Sequence, residues 1–483
     1  MRYKVVGPPG TGKTRRLLNE VHKYVQDGTP HDKIGYFAFT RKAAGEARDR
    51  FLAKNLDLTK KDIKYFQTLH SLAFNNLGLK EENVMQEGNY QAIGETCGIQ
   101  IKYASYETNN FNGIFSSNSE YLSLINLARV RQITAEQQFN RNEHLSWISK
   151  TKLIGIEKEI NNYKNAHNLI DFTDMIQQFL DKGTTPKFKV IFVDEAQDLS
   201  LIQWAMIKKI EDDTNCDVWI AGDDDQAIFG WAGADVDSFI NWDSKEILLD
   251  KSERVPQLIQ RKALDVISRI YLNRLPKDYL PKNELGVIEE RFNINGIDMT
   301  TGDWLILART NSLLKAIPAY LKRKGFFFQT HQGNSMGKTL YEDILNWKKM
   351  QKGESIPEVY HQRILENIIC DEVDEVIDFK ADWYEAFNKV PLSKRNYMRA
   401  MLDNGENVLR DPRIKVSTIH GAKGGEAHNV ILYLNQTANT IKGAKKSQEK
   451  QDEEFRVWYV GITRTIENLF LIKSKNKQKE FKL

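Results

Sequence analysis

The sequence has no uninterrupted apolar stretch of about 20 residues, the length that a membrane-spanning helix needs. We therefore expect no transmembrane segment and no membrane partner. The chain starts with MRYKVVGPPG and leads directly into a glycine-bearing motif, so we expect no signal peptide. Its 483 residues are 41% hydrophobic and 28% charged. That composition fits a globular protein with two to four domains of roughly 100–200 residues each.

Cysteine is scarce, and its spacing excludes two further classes of protein. The three cysteines, Cys97, Cys216 and Cys370, are scattered and lack the spacing of metal ligands. A disulfide scaffold and a zinc site are therefore not expected, and reduced thiols predict a cytoplasmic protein. The formal net charge is only +4. It permits a polyanionic partner without requiring one.

Short, continuously apolar segments followed by polar turns recur along the chain. Such runs are typical of parallel strands that are covered by helices on both faces. Two intervening stretches lack strand patterning, and in one of them Leu153, Ile156, Ile160 and Tyr163 recur at helical spacing. We predict two α/β domains, each with a helical insertion. We also predict a frayed, lysine-rich tail at 473–482. The predicted strands are 3–7, 33–40, 189–195, 217–223, 303–310, 414–421, 429–434 and 468–473, and the helical stretches are 74–167 and 336–411.

The segment GPPGTGKT at 7–14 follows the first predicted strand and precedes a helical run. It matches the pattern of a phosphate-binding loop, in which backbone N–H groups surround phosphates. In that pattern Lys13 contacts the outer phosphates and Thr14 binds Mg²⁺. The motif predicts a nucleoside triphosphate site but leaves kinases, AAA+ ATPases and helicases open. The predicted nucleotide-binding residues here are Gly7, Pro8, Pro9, Gly10, Thr11, Gly12, Lys13 and Thr14.

A second motif, VIFVDEAQD at 190–198, narrows the chemistry. The strand places Asp194 where a carboxylate binds the nucleotide's Mg²⁺, with Glu195 directly after it. A neighbouring glutamate suits a general base that orients water. The pair favours hydrolysis over transfer to a small acceptor.

The segment GDDDQAIFGWAG at 222–233 combines three carboxylates with two aromatic rings. Carboxylates suit a metal or phosphate site, whereas Phe229 and Trp231 suit a stacked or apolar partner. We expect one carboxylate to reach the outer shell of the metal and the others to cap a turn. Packing of the two rings at a domain interface is the alternative to a binding role.

The motifs together resemble the UvrD/Rep family of superfamily 1 helicases. The resemblance implies two RecA-like parallel-sheet P-loop domains, each with a helical insertion. The implied boundaries are 1–73 with 168–250 for the first domain (1A), 74–167 for its insertion (1B), 251–335 with 412–483 for the second domain (2A), and 336–411 for a short insertion (2B). The further matching segments are FTRKAAGEARDRF (39–51), TLHSLAF (68–74), LIDFTDM (169–175), STIHGAKGGEA (417–427) and EEFRVWYVGITRT (453–465).

The resemblance also implies roles at the nucleotide. Gln226 would sense the γ-phosphate, and two arginines would stabilise charge during phosphoryl transfer. Arg464 resembles the arginine finger, and Arg254 takes the place of the other arginine, although the preceding Ser252 and Glu253 replace the family's usual Asn-Tyr. The implied catalytic residues are Glu195, Lys13, Gln226, Arg254 and Arg464, and Glu426 and Arg15 would also contact the nucleotide.

For a nucleic acid strand, the resemblance implies stacking of a base on Trp231 beside Phe229, which tolerates any base. Polar and cationic residues would contact the strand's backbone without reading its sequence. For the two histidines, a buried role in holding loops is the alternative. The implied DNA-binding residues are Thr40, Arg41, Lys42, Thr68, His70, Ser71, Phe229, Trp231, Thr418 and His420.

The function that this resemblance implies is that of an ATP- and Mg²⁺-dependent DNA helicase or translocase, moving 3′ to 5′ on single-stranded or partial duplex DNA. One alternative is a translocase that strips proteins from single strands without unwinding. Another is an ATP-switched DNA-binding subunit with protein partners in a repair, replication or defence complex. Two further departures from the family's pattern are visible. Six residues precede Gly7, where the family usually has a segment with an adenine-reading glutamine, so we expect this contact to be missing, and Ala232 replaces a common arginine.

Overall fold

A computed structural model describes residues 1–101, 119–141, 147–368 and 380–483. Cys370 lies outside these described residues. The chain divides into two compact units. Unit 1 comprises Met1–Leu285 with Lys442–Thr463, and unit 2 comprises Gly286–Ile441 with Arg464–Leu483. In the part of the chain that the structure describes, no helix is both long and apolar enough to cross a membrane.

Both units combine strands and helices. The strands are β1 (Arg2–Val6), β2 (Ile34–Phe37), β3 (Phe66–Gln67), β4 (Val190–Val193), β5 (Asp217–Gly222), β6 (Lys245–Leu248), β7 (Val287–Arg291), β8 (Trp304–Ala308), β9 (Phe328–Thr330), β10 (Gly333–Asn334), β11 (Ile414–Thr418), β12 (Ala427–Tyr433) and β13 (Thr465–Ile472). The helices are α1 (Lys13–Gln26), α2 (Arg41–Leu52), α3 (Leu69–Asn76), α4 (Glu87–Cys97), α5 (Glu120–Val130), α6 (Ala135–Asn140), α7 (Lys150–His167), α8 (Phe172–Lys182), α9 (Leu201–Thr214), α10 (Val236–Ile240), α11 (Gln257–Ile267), α12 (Asn311–Leu314), α13 (Ile317–Arg323), α14 (Lys338–Gln351), α15 (Glu358–Leu365), α16 (Trp383–Ala386), α17 (Leu392–Asp403), α18 (Ala438–Ala444) and α19 (Gln448–Ile462).

The sheet of unit 1 is parallel throughout and has the order β3-β2-β4-β5-β1-β6. The sequence of strand β4 is continuously apolar because both of its faces are buried. Val190 and Phe192 pack into the core on one face of the sheet, and Ile191 and Val193 pack into the core on the other. The four strands predicted in this region are confirmed. Strands β3 and β6 were not predicted, because β3 has two residues and β6 is an edge strand with a mostly exposed, polar sequence.

The sheet of unit 2 has the order β10-β9-β11-β8-β12-β13-β7. All its pairings are parallel except that of β9 with β10, which is antiparallel. The four strands predicted here are also confirmed. Strands β7, β9 and β10 were missed, since they lie toward the two edges of the sheet and lack a continuous apolar run.

Both predicted insertions are helical where the structure describes them. In α7, Leu153, Ile156 and Ile160 are buried in a core shared with neighbouring helices of the first insertion, as their spacing predicted. The second insertion contains α14 to α17. The subdivision into domains stays a prediction. Two stretches that were placed in the second α/β domain, 251–285 and 442–463, pack with unit 1.

The prediction of a frayed tail at 473–482 was wrong. Phe481 is buried, and its backbone N–H donates to the carbonyl of Leu434 at 2.8 Å. The backbone N–H of Gln436 donates to the carbonyl of Lys479 at 2.7 Å. The lysines had suggested a solvated segment, but the aromatic ring near its end anchors the tail.

Candidate nucleotide and nucleic-acid site

The phosphate-binding loop connects the end of β1 to the first residue of α1, Lys13. Gly10 and Gly12 have φ values of 76° and 84°, a region that favours glycine. A Cβ atom on Gly7 would lie 2.5 Å from the hydroxyl of Thr11, so this position also requires glycine. The Lys13 ammonium is buried and donates to the carbonyl of Gly7 at 2.7 Å. A glycine loop that opens a helix, with a lysine turned into it, fits the phosphates of a nucleotide.

Asp194 follows β4 and faces the start of α1. Its Oδ2 accepts hydrogen bonds from the hydroxyls of Thr14 at 2.6 Å and Tyr36 at 2.9 Å. Burial, reinforced by the negative charge of Glu195, raises the pKa of the Asp194 carboxyl above its ordinary value. A buried carboxylate beside a hydroxyl, with a second acid next to it, is a set of oxygen donors that suits Mg²⁺. The residues present therefore fit this cation.

Glu195 has a backbone conformation that is uncommon for a residue with a side chain, with φ 55° and ψ 40°. Its Oε2 accepts a hydrogen bond from the Gln197 amide at 2.6 Å. Gln197 is fully buried, and its amide oxygen accepts the backbone N–H of Asp223 at 3.1 Å. Gln197 thus joins the predicted base to the loop at 222–233. It was not assigned a role from sequence, although it lies inside the DEAQD motif.

Residues 222–233, which we call the coupling loop, begin at the last residue of β5. Gln226 donates from its amide to Oδ2 of Asp223 at 2.7 Å. Asp223 also caps a short 3₁₀ turn, because its Oδ1 accepts the backbone N–H of Asp225 at 3.2 Å. The side chains of Asp223, Asp224 and Asp225 are buried, and each lies close to the ammonium of Lys277. Lys277 was missed, because it lies in a part of the sequence without a recognised motif.

The two rings of the coupling loop differ in exposure. Phe229 is 2% exposed and stacks on Phe39, with ring centroids 5.3 Å apart. Trp231 is 43% exposed, and its ring meets that of Phe229 edge-on. Phe229 therefore packs within unit 1, and it supports the exposed indole. Whether either ring contacts DNA stays a prediction.

The residues of unit 1 that are predicted to contact the nucleic acid strand lie at the starts of two helices. Thr40 caps α2 by accepting the N–H of Ala43 at 3.0 Å, and Thr68 caps α3 by accepting the N–H of Ser71 at 3.1 Å. Arg41 and Lys42 are exposed in the first turn of α2. Cations at this end are repelled by the positive end of the helix dipole. A bound anion would be attracted both by the two side chains and by the dipole.

His70 lies near these caps, in the first turn of α3. Burial, with a contribution from the positive charge of Arg41, lowers the pKa of the His70 imidazole to about 4. The ring is therefore neutral near neutral pH. One cleft of unit 1 brings His70 and Phe229 together with residues that the sequence did not single out, among them Phe39, Thr173, Ser200 and Gln203.

Arg254 lies directly against the phosphate-binding loop. A Cβ atom on Gly10 would come within 2.4 Å of the Cβ of Arg254. The Ser252 hydroxyl donates to the carbonyl of Pro9 at 2.7 Å, and the Glu253 N–H donates to the carbonyl of Gly10 at 2.9 Å. The segment thus places Arg254 beside the predicted phosphates, although Ser252 and Glu253 depart from the family's usual pair.

Unit 2 holds the other predicted site residues. Arg464 immediately precedes β13, is buried, and donates to the carbonyl of Gly425 at 3.2 Å. Glu426, next to Gly425, is exposed at the start of β12. Thr418 ends β11, and its hydroxyl accepts the N–H of Gly421 at 3.1 Å, which shapes the turn that carries His420. Arg464 and Glu426 are thus brought together, and their roles stay predictions.

Two family models match the chain. The UvrD/REP helicase N-terminal domain matches residues 2–246, and the UvrD-like helicase C-terminal domain matches residues 339–476. A "Probable DNA helicase" of Mycoplasma pneumoniae is 24% identical over 484 aligned residues, covering 96% of this chain and 79% of that protein.

Further relatives match over a shorter part of the chain. "ATP-dependent DNA helicase PcrA" of Staphylococcus aureus is 23% identical over 299 residues, which cover 58% of this chain and 40% of PcrA. PcrA of Staphylococcus epidermidis matches to the same extent. The alignment therefore spans less than half the length of these two relatives.

The N-terminal family model alone covers half of the chain, in which the phosphate-binding loop, Asp194, Glu195 and the coupling loop have the arrangement described above. The chain therefore belongs to the UvrD/REP helicase family and is a helicase of the UvrD type.

Proposed function

We propose that this helicase hydrolyses ATP with Mg²⁺ and uses the energy to move along single-stranded DNA, 3′ to 5′, separating the strands of partial duplexes. One observation carries the proposal. Hydrogen bonds connect the predicted base to the coupling loop: Glu195 bonds to Gln197, Gln197 bonds to the backbone of Asp223, and Asp223 bonds to Gln226. Trp231 follows in the same loop.

At the nucleotide, the loop at 7–14 binds the phosphates, and Thr14 and Asp194 are the residues that would hold Mg²⁺. The ion supplies neutralisation of phosphate charge when bound. Glu195 then orients a water molecule and accepts its proton. Its unusual backbone conformation and its bond to Gln197 fix the direction of the carboxylate.

For the DNA strand, the exposed face of Trp231 offers a stacking surface that accepts any base. Arg41 and Lys42, at the start of α2, suit contacts to phosphates that carry no sequence information. Thr40 and Thr68 hold the starts of their helices by capping them. This arrangement supports binding of a single strand without base preference.

The proposal is tested with DNA duplexes that carry either a 3′ or a 5′ single-stranded tail, incubated with ATP and Mg²⁺. Release of the strand only from the 3′-tailed duplex is the expected result. Movement along the tail without strand separation would favour a translocase that strips bound proteins, an activity for which the short second insertion, 336–411, is an argument. ATP-dependent binding with neither activity would favour an ATP-switched subunit that needs protein partners.

A cytoplasmic location is part of the same proposal. The free cysteines among the described residues are Cys97 and Cys216. Burial raises the pKa of both thiols, which keeps them in the unreactive thiol form. Such cysteines fit a reducing compartment.

A further inference from the structure

Three consecutive carboxylates of the coupling loop are buried in unit 1. Asp223 and Asp224 are fully buried, and Asp225 is 1% exposed. Removing an ion from water costs several kcal/mol even after relaxation of the protein, and like charges at this spacing add repulsion. The arrangement therefore requires cations that are themselves buried.

Lys277 supplies the main compensating charge. Its Nζ lies 3.0 Å from Oδ1 of Asp223 and 3.1 Å from Oδ2 of Asp225, and it forms a short hydrogen bond with Oδ1 of Asp224. Burial alone would favour the neutral amine, but the three carboxylates outweigh it and raise the pKa of Lys277. Arg274 adds a second cation, which donates to Asp225 at 2.8 and 3.0 Å.

The two oxygens of Asp223 have different partners. Oδ1 faces Lys277, whereas Oδ2 accepts the amide of Gln226 at 2.7 Å. Burial opposes ionisation of Asp223, yet the charge of Lys277 lowers the pKa of this carboxyl below its ordinary value. Without Lys277, Asp223 would lose the partner that orients its carboxylate toward Gln226.

Helix α19 holds the same loop at both ends. Glu453 accepts the backbone N–H of Trp231 at 3.1 Å, and Arg456 donates to the carbonyl of Asp224 at 2.9 Å. Residues three apart lie on one face of a helix. Arg456 also donates to the carbonyl of Asn273 at 2.8 Å, which ties the segment that carries Lys277 to the same helix.

We propose that Lys277 is a positioning residue: by binding Asp223 it orients Gln226, so that the nucleotide state sensed at Gln226 reaches Trp231 at the other end of the loop. This inference rests on the proposed function of the two residues. Lys277 itself touches neither nucleotide nor DNA in this role. Its removal should therefore uncouple the two sites without abolishing binding at either one.

The test compares Lys277→Met with Arg274→Met in the full chain. Both substitutions remove a cation from the same cluster, but only Lys277 contacts Asp223. The measurements are kcat and KM for ATP, with and without single-stranded DNA, together with the thermal midpoint of each variant. We expect Lys277→Met to reduce the stimulation of kcat by DNA by about tenfold, within the range of coupling effects at residues that contact neither ligand. The KM for ATP should stay within about threefold of wild type, since the phosphate-binding loop at 7–14 is unchanged.

Arg274→Met is expected to lower the thermal midpoint but to keep DNA stimulation. Equal losses of stimulation in both variants would overturn the inference, because the cluster would then act only through stability. If Lys277→Met does not fold, Lys277→Arg replaces it. This variant keeps the charge with a different geometry, and unchanged stimulation would again overturn the inference. A wild-type protein without DNA-stimulated hydrolysis would instead contradict the proposed function itself.

Discussion

The guanidinium of Arg15 donates to both carboxylate oxygens of Glu253, at 2.7 and 2.9 Å. Glu253 stands where the family usually has a tyrosine that helps to hold adenine. Arg15 and Arg16, near the start of α1, are candidates for a substitute adenine contact, but Arg16 is also engaged, with Glu20 at 2.9 Å. Both arginines are thus paired with acids of unit 1.

We therefore expect weak selection of the nucleobase. A site rejects analogues strongly only when it hydrogen-bonds the group that they lack. The kcat/KM for GTP with saturating single-stranded DNA should lie within about tenfold of that for ATP, a difference near 1.4 kcal/mol. Lys13→Ala is the control, since it should impair both nucleotides equally through their shared phosphates. A preference for ATP of about a thousandfold would contradict this expectation.

Glu195→Gln should retain ATP binding and lose turnover. The substitution keeps the size of the side chain and leaves Asp194 in place, but it removes the proton acceptor. The DNA-stimulated rate of hydrolysis should fall by roughly 10²–10⁴-fold. Asp212→Asn on the exposed surface of α9 is a matched control that should hydrolyse at the wild-type rate. Near-normal hydrolysis by Glu195→Gln would assign the base to another residue.

Trp231→Ala should separate hydrolysis from movement. The ring is exposed and is proposed to contact a base and not a phosphate, so basal hydrolysis should persist. Loss of base stacking, worth about 1–3 kcal/mol per base, should abolish translocation along single-stranded DNA. Trp147→Ala, at another exposed tryptophan, is expected to behave as wild type. A parallel decline of basal hydrolysis and translocation would indicate that Trp231 serves packing.

The neutral state of His70 predicts a pH dependence of stability. Its pKa is lowered to about 4 in the folded chain, whereas an unperturbed histidine titrates near about 6.5. Between these values the unfolded chain binds more protons. The free energy of unfolding should therefore fall as pH falls from about 6.5 toward 4.

His70→Gln should weaken this dependence, which urea denaturation at a series of pH values would measure. The variant keeps a polar side chain but cannot take up a proton. The same pH slope in the variant and in wild type would show that the folded chain protonates His70 as readily as the unfolded one.

The sequence alone determined the central strands and the motifs beside them. Continuous apolar runs such as VIFV encode a strand that is buried on both faces, and this information is local. The requirement for glycine in the phosphate-binding loop is equally local, because the loop's own backbone gives Gly10 and Gly12 φ angles of 76° and 84°. Edge strands such as β6 were not predicted from the sequence, since a strand with exposed residues needs no apolar run.

Only the tertiary structure decided how the motifs are connected. Lys277 lies more than 50 residues from Asp223, and Arg456 lies 232 residues from Asp224. Contacts over such separations leave no periodic or local signal in a sequence. The sequence presented three adjacent carboxylates as candidates for a metal or a turn. Folding brought an ammonium from a distant segment to all three, because charges buried so deeply are stable only beside a partner of opposite sign.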